Sequence, residues 1–386
     1  MLNYLLLTKS KGINIVRGEA QYVWDDSGKK YLDMNTCHGV AFLGHRNPTI
    51  VNALISQLSS IATLSTSFDT PVRDVMLEML DHVKPKNSSH VFLLNSGSEA
   101  IEMCIKIARK ATSRKKLIAI KNGFHGRTSG SLSLTWNPRY KIQFGELLTN
   151  VEHIDASQSS LSAIDEQTAA VFFEPVQGEG GVIPLEKEFV KALSEKCKEK
   201  GALLIADEVQ SGFGRTGKVW AYEHFEVQPD VVVASKALGG GFPVSAVFAP
   251  EWVASKLEEG DHGSTFGGNP LACAAVAASC EVLIKDEVPA KASRMGELFK
   301  KRLNETIAQN RIVKSVRGLG LMIGVELRTN PAATLSDLQA QGVLALKAGL
   351  SVVRFLPPYM INEDDIEWAV NALARPLSKL AQTSCA

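Results

Sequence analysis

Asp207 and Lys236 stand at the two places in the chain where chemistry is easiest to foresee. Asp207 closes the apolar run 202–206, and Lys236 follows the apolar run 231–234 after a single serine, 29 residues further on. Ligands of open α/β sheets bind outside the carboxyl ends of the strands, so a carboxylate and an amine placed there converge on one crevice. Taken alone, a structural ion pair is the commoner explanation of such a pair. A third candidate is the turn Asn95-Ser96-Gly97-Ser98-Glu99-Ala100, which runs directly into a helical pattern. Its free N–H groups and helix dipole suit an anion, Gly97 permits close backbone approach, and Ser98 adds a hydroxyl. Ordinary serine capping of a helix accounts for the same turn without a ligand.

Other chemistries find less support. The stretch Gly212-Phe213-Gly214-Arg215-Thr216-Gly217-Lys218-Val219 approaches a phosphate loop, but Val219 stands where a hydroxyl would hold Mg²⁺ and no good helix follows. Gly239-Gly240-Gly241 lacks dinucleotide-loop spacing, and the eight histidines show no ligand spacing, so no metal site is expected.

The elements that must carry these groups follow from the rhythm of the chain. Runs rich in Val, Ile, Leu and Phe recur at 91–94, 117–120, 169–173, 202–206, 231–234 and 245–248, as expected of strands buried on both faces. Helical patterns at 99–110 and 189–200 lie between some of them, which implies parallel pairing in an open α/β sheet. The pattern predicts a large domain over 43–285. After residue 286 a long polar helix, strand-like stretches at 315–325 and 351–355, and a last helix opened by Asn362-Glu363-Asp364-Asp365 predict a smaller α+β domain over 286–386. Residues 22–32 read as a hairpin within an N-terminal segment, 1–42, that packs with the small lobe.

Composition narrows the class. At 386 residues the chain exceeds the size, about 250–300 residues, at which a single core stops growing. Lys+Arg number 42 and Asp+Glu 41, and no sustained basic block is present, which excludes a nucleic-acid binder and leaves little self-repulsion against oligomerisation. Cys37, Cys104, Cys197, Cys273, Cys280 and Cys385 form no C-x-x-C pair and read as reduced, mostly buried thiols of a cytoplasmic protein. Leu5-Leu6-Leu7 before Thr8-Lys9 is too short for a secretion signal, and the apolar stretch 271–284 is short and carries Glu281, so neither secretion nor membrane insertion is expected.

The surroundings of the first pair are more specific. Asp207-Glu208-Val209-Gln210-Ser211-Gly212-Phe213-Gly214-Arg215-Thr216-Gly217, followed by Ser235-Lys236-Ala237-Leu238-Gly239-Gly240-Gly241-Phe242-Pro243, resembles the class III pyridoxal-phosphate aminotransferases, which include acetylornithine, ornithine and 4-aminobutyrate aminotransferases. The separation of 29 residues also matches, and the resemblance runs from Gly18 to Leu380. It implies fold type I of the pyridoxal-phosphate (PLP)-dependent transferases: an α/β large domain with a mainly parallel sheet, plus a smaller α+β domain. It also implies pyridoxal 5'-phosphate as cofactor.

Roles follow from the same resemblance. Lys236 becomes the Schiff-base residue and the base that moves a proton between substrate carbon and cofactor, a use open to an amine in a partly desolvated site. Asp207 favours the protonated pyridine nitrogen, which makes the ring an electron sink. Gln210 contacts the phenolic oxygen, Gly97 and Ser98 hold the phosphate, and Phe124, in Phe124-His125-Gly126-Arg127, stacks on the ring. Thr265, in Ser264-Thr265-Phe266-Gly267-Gly268-Asn269-Pro270, reaches the phosphate of the neighbouring subunit, so the sites are complete only in a homodimer. Arg127 takes the distal carboxylate of the substrate, with Ser264 also on the substrate side, because an arginine fork fits a carboxylate bidentately. Arg354 holds the α-carboxylate of glutamate or 2-oxoglutarate. Glu179, in Gln177-Gly178-Glu179-Gly180-Gly181, pairs with that arginine during the half-reaction with an ω-amine and then releases it.

Gly44-His45-Arg46-Asn47-Pro48, Gly123-Phe124-His125-Gly126-Arg127-Thr128 and Phe266-Gly267-Gly268-Asn269-Pro270 resemble the acetylornithine type. Asn35-Thr36-Cys37-His38-Gly39-Val40-Ala41-Phe42-Leu43-Gly44-His45, Ser133-Leu134-Thr135-Trp136-Asn137 and Phe355-Leu356-Pro357-Pro358-Tyr359-Met360 resemble an archaeal branch of lysine/arginine biosynthesis. That branch acts on an aminoadipate or glutamate semialdehyde joined through its α-amino group to a small acidic carrier protein. His38 then faces the substrate entrance or is a structural histidine. The basic stretch Lys106, Arg109, Lys110, Arg114, Lys115 and Lys116 becomes a candidate carrier-docking surface.

The expected activity is PLP-dependent ω-amino transfer between glutamate/2-oxoglutarate and a semialdehyde of lysine or arginine biosynthesis, carrier-linked or N-acetylated. The alternatives are ornithine or 4-aminobutyrate transamination, or a decarboxylase or racemase of the same fold. A non-enzymatic binding protein is disfavoured because Lys236 and Asp207 are both present.

Overall fold

Apolar runs without polar alternation must be covered on both sides, and they form the middle layer of the molecule. The computed structural model describes residues 10–383 together with Leu2, Leu5, Leu7 and Thr8; Leu6, Lys9 and Cys385 lie outside the described residues. Seven strands make the central sheet in the order His90–Leu94, Ser245–Ala249, Val231–Ala234, Leu203–Asp207, Thr168–Phe173, Lys116–Ile120 and Val151–Ile154. Every residue of Thr168–Phe173, Leu203–Asp207, Val231–Ala234 and Ser245–Ala249 is buried. The six expected strands are all present. Val151–Ile154 was not expected, because Glu152 is exposed and Val151 and His153 are half-buried, which leaves no continuous apolar run at this edge.

The sheet is mainly parallel, with one reversal. Ser245–Ala249 pairs antiparallel with both Val231–Ala234 and His90–Leu94. Only residues 235–244 connect it to the preceding strand, whereas a parallel return needs a crossover of about a dozen residues or more. The connection holds only the short turn Lys236–Gly239, so the chain turns back on itself and leaves Lys236 at the strand end.

Helices cover the sheet. Gly97–Thr112 starts at Ser96, whose hydroxyl accepts from Glu99 N–H at 3.3 Å, carries Glu99 in its first turn and Arg109 and Lys110 in its last, and stops at left-handed Ser113. It buries Ala100, Ile101, Met103, Cys104, Ile105, Ile107 and Ala108. Each of its larger apolar side chains contributes about 1.5–3 kcal/mol through burial. Pro270–Lys285, capped by Asn269 accepting from Ala272 N–H at 3.0 Å, is buried on nearly all sides and packs against Pro48–Ser60 and Pro71–Asp81. It is therefore a core helix, and no helix among the described residues is long and apolar enough to cross a membrane. Cys104, Cys197, Cys273 and Cys280 are free and buried; Cys37 is free and exposed.

Two further sheets flank the central one. Ile15–Glu19, Tyr22–Asp25 and Lys30–Asp33 form an antiparallel meander that includes the expected hairpin, and Val343–Leu344 adds parallel to Lys30–Asp33. The C-terminal sheet has the order Val313–Leu319, Met322–Leu327, Val352–Phe355, Leu346–Ala348, all antiparallel. The stretch 315–325, read as one strand, is a hairpin that turns at Gly320, where φ is +51°. The helix Glu363–Thr383 opens as expected, with Asn362 Oδ1 accepting from Asp365 N–H at 2.9 Å.

One buried cation ties these parts together. Among the described residues Arg215 has no carboxylate partner; its Nη1 donates to Leu321 O (3.1 Å) and Pro357 O (2.7 Å), its Nη2 donates to Gly39 O (3.1 Å), and its guanidinium lies 4.1 Å from the Phe42 ring centroid. Burial pulls its pKa down to about 9.

Candidate active site

A cavity of about 350 Å³ opens at the carboxyl ends of the central strands. Gly97, Ser98, Phe124, Glu179, Asp207, Gln210 and Lys236 all line it. Seven of the sequence-derived site residues are thereby brought to one place. Arg354 reaches it through contacts with Glu179 and Gln210, while Arg127, Ser264 and Thr265 lie outside its lining.

The floor is built from strand ends. Asp207 ends its strand, with Oδ1 accepting from Val209 N–H at 3.1 Å and Oδ2 2.8 Å from His125 Nδ1. His125 is fully buried. Burial pulls its pKa down, but the hydrogen bond and charge of Asp207, with the charge of Glu174, outweigh that and raise it. Glu174 follows the strand Thr168–Phe173 and accepts from Phe124 N–H (2.7 Å) and Gly178 N–H (3.2 Å). Its burial pushes its carboxyl pKa up. Lys236 sits just past Val231–Ala234 in a left-handed conformation, φ +47°, a strained placement for a lysine that the adjacent turn holds. Desolvation lowers its ammonium pKa against the opposing pull of Glu179. The result is an amine closer to its nucleophilic form than a surface lysine.

The near wall is the start of Gly97–Thr112. The N–H groups of Gly97 and Ser98 belong to the first helical turn and have no helical carbonyl behind them. A Cβ on Gly97 would lie 3.0 Å from the Val209 side chain, so a larger residue there would push against the cavity wall. Ser98 Oγ accepts from Arg127 N–H at 3.2 Å. Asn95 donates to Glu99 Oε2 from N–H (2.7 Å) and Nδ2 (3.0 Å), and from Nδ2 to Ser264 Oγ at 3.1 Å.

The far wall is a charge pair. Arg354, fully buried on Val352–Phe355, donates from Nη2 to Glu179 Oε1 at 2.7 Å and from Nη1 to Gln210 Oε1 at 3.1 Å. Burial pushes the Glu179 pKa up, but the nearby His38 imidazole and the charge and hydrogen bond of Arg354 bring it down to about 2. His38 Nδ1 lies 3.8 Å from Glu179 Oε1. The Glu179–Arg354 contact expected from sequence is thus formed.

Outside the cavity, the Arg127 guanidinium lies 3.9 Å from the Tyr140 ring centroid and 5.5 Å from that of Phe124, and is exposed. Phe124 meets Tyr140 edge-on at 5.8 Å between centroids. A neighbouring cavity of about 630 Å³ shares Phe124 and Glu179 with the first, so the two are contiguous. Thr265 and Phe266 are exposed at the surface. Five of the six residues of the basic stretch have partners of their own, while Lys115 is exposed. Lys106 and Lys110 bond to Asp261, Arg109 to Asn150, Arg114 to the carbonyls of Thr168, Lys200 and Gly201, and Lys116 to Glu152 and Asp165. Sequence density marks the charges but not the acceptors that chain folding brings to them.

His125 and Glu174 were given no role from sequence. Both follow the strand-end rule that found Asp207: Glu174 comes directly after a buried strand, and His125 lies five residues beyond the strand Lys116–Ile120.

The residues fit a pyridine cofactor that carries phosphate. A desolvated amine, a buried carboxylate–imidazole pair, a phenylalanine ring and a helix N-terminus surround one cavity, and His125 Nε2 is buried without a protein partner.

The comparisons with known proteins agree with this chemistry. The Aminotransferase class-III family model matches residues 7–377. A LysW-aminoadipate semialdehyde/glutamate semialdehyde transaminase of Sulfurisphaera tokodaii is 56% identical over 372 residues, 96% of each chain. A transaminase of the same name from Sulfolobus acidocaldarius is 53% identical over 98% of each chain. Among solved structures, an ornithine aminotransferase of Toxoplasma gondii with PLP at partial occupancy in its active site aligns with a TM-score of 0.93 at 31% identity, covering 98% of this chain and 94% of its own. Family and neighbour together imply pyridoxal phosphate as the cofactor.

Proposed function

The chain belongs to the class III aminotransferases and is an aminotransferase, and from that premise we propose that it moves an ω-amino group between glutamate/2-oxoglutarate and an aminoadipate or glutamate semialdehyde carried by a small acidic protein. The observation that carries this reading is the Glu179–Arg354 pair, 2.7 Å apart, on the wall facing Lys236 and Asp207. A site for both a terminal amine and an α-amino acid needs a cation that is masked in one half-reaction and bared in the other, and this pair provides one. The names of the relatives at 56% and 53% identity support the carrier-linked substrate.

Pyridoxal phosphate, when bound, supplies an electron sink for charge at the substrate carbon. Asp207, held by His125, would hold its ring nitrogen. The first-turn N–H groups of Gly97 and Ser98 would hold its phosphate. Phe124 would cover the ring, and Gln210 would reach the phenolic oxygen. Lys236 Nζ, with its lowered pKa, moves the proton to and from the substrate carbon. Arg354 takes the α-carboxylate of glutamate once Glu179 withdraws. Arg127, on the rim beside Tyr140, takes a distal carboxylate, with Ser264 near the substrate side.

Thr265 completes the phosphate site of a second copy, so the enzyme works as a homodimer. Ile55, Leu58, Phe68, Val75 and Phe266 are exposed on or near Pro48–Ser60, Pro71–Asp81 and the 264–268 loop, which is an apolar surface suited to that contact. We read residues 1–42 as packing with a small lobe over 286–386, a reading supported by the pairing of Lys30–Asp33 with Val343–Leu344.

The test has two parts. The purified protein should show a visible cofactor absorption band that changes in Lys236→Ala. Turnover of the carrier-linked semialdehyde should exceed that of free N-acetylornithine and ornithine in kcat/KM; a preference for a free amine would replace the carrier reading with one of those alternatives.

A further inference from the structure

When an α-carboxylate displaces Glu179 from Arg354, the Glu179 charge needs a new partner in a largely desolvated place. The structure contains one. His38 Nδ1 stands 3.4 Å from Arg354 Nη2 and 3.8 Å from Glu179 Oε1, so the imidazole touches both halves of the pair. Its side chain is 57% exposed, so the ring has room to turn between the two.

The backbone that presents His38 is costly. Thr36, Cys37 and His38 have φ of +47°, +52° and +57°, and Gly39 follows at +99°. Consecutive left-handed conformations at three non-glycine residues are strained and persist only where the surroundings over-determine them. Here they do. Asp33 Oδ1 accepts from Asn35 N–H (2.9 Å) and Thr36 N–H (2.8 Å), Thr36 Oγ1 donates to Leu356 O (2.6 Å), and Asn35 Oδ1 accepts from His38 N–H (3.1 Å). Gln210 Nε2 donates to His38 O at 3.1 Å and Arg215 Nη2 to Gly39 O at 3.1 Å. Gln210 thus holds the His38 backbone with its amide nitrogen and the Arg354 guanidinium with its amide oxygen, which fixes the distance between the two. Strain concentrated on a turn that aims one side chain at a charge pair is best explained by the work of that side chain.

We infer that His38 is a positioning residue of the gate: it receives Glu179 when substrate carboxylate occupies Arg354. With the gate closed, neutral His38 accepts from Arg354 Nη2. With the gate open, the imidazole in its other neutral tautomer presents Nδ1–H to the displaced Glu179. The inference rests on the proposed glutamate half-reaction.

Half-reactions of the holoenzyme test it, with glutamate on one side and the terminal-amine product on the other. His38→Ala should raise the glutamate KM about tenfold relative to the amine KM, with a smaller change in kcat. His38→Gln, whose amide can donate to Glu179, should recover most of that ratio. An unchanged ratio in His38→Ala, or no recovery in His38→Gln, overturns the inference. Wild-type enzyme that fails to use glutamate overturns the function and this inference together; wild-type enzyme that uses it while His38→Ala behaves identically overturns the inference alone.

Discussion

The two walls of the cavity are built in opposite ways. Lys236, Asp207, Glu174 and His125 stand on connections that leave the carboxyl ends of four strands of one buried sheet, so their relative positions are as rigid as the strand ladder. Glu179, Arg354, Gln210 and His38 come from four remote segments and meet only through side-chain contacts. The floor needs fixed distances for proton transfer at one carbon, and a sheet supplies them. The proposed gate would need two arrangements, and a cluster held by one ion pair can be rearranged without moving a strand.

The comparison can be broken at each wall. The largest effect is expected at the floor: Lys236→Ala should lower kcat by about 10⁴-fold with every amino donor alike, as single-turnover kinetics would show. A loss confined to one donor would mean that the floor is not shared. At the gate, Arg354→Ala should act selectively. It should reduce kcat/KM for glutamate by about 100-fold and for the terminal amine by much less, because only one half-reaction uses the bared guanidinium. Equal losses would remove the distinction between the walls.

The smallest and sharpest contrast is in pH. His125 has a pKa raised above its ordinary 6.5, so its pairing with Asp207 stabilises the fold fully below that value and ceases to as pH rises through the raised one. Glu179 is lowered from 4.5 to about 2, so its pairing stabilises the fold above 4.5 and is lost as pH falls toward 2. The two walls therefore carry opposite pH slopes. Urea midpoints across pH should show His125→Gln losing stability mainly on the acid side. Glu179→Gln should lose about 2 kcal/mol or less, chiefly above pH 4.5. The same slope for both variants would contradict the assignment.

This division also explains what was legible in the sequence. Residue type and strand end alone place Asp207 and Lys236 together, because topology brings strand ends together, but only the resemblance gave the pair its chemistry. The gate could not be found that way: nothing in Gln177-Gly178-Glu179 or Val353-Arg354 predicts a meeting, and only the family resemblance joined them. His125 was passed over because burial beside Asp207 is a tertiary fact. The basic stretch around Lys110 misled for the same reason, since Asp261, Glu152 and Asp165 arrive from distant segments. The reversed strand Ser245–Ala249 could have been inferred from the shortness of the 235–244 connection. The hairpin at Gly320 was hidden by apolar residues on both of its arms.

Arg215 has a mechanical consequence. Its guanidinium holds carbonyls from Gly39, Leu321 and Pro357 at once, so the short helix after the N-terminal meander, the loop after the strand Leu203–Asp207 and two turns of the C-terminal sheet share one rivet. A hinge through that point would strip three acceptors from one buried cation together. Wide jaw-like opening between these parts is therefore disfavoured. Heating should likewise melt the three sheets in one cooperative step.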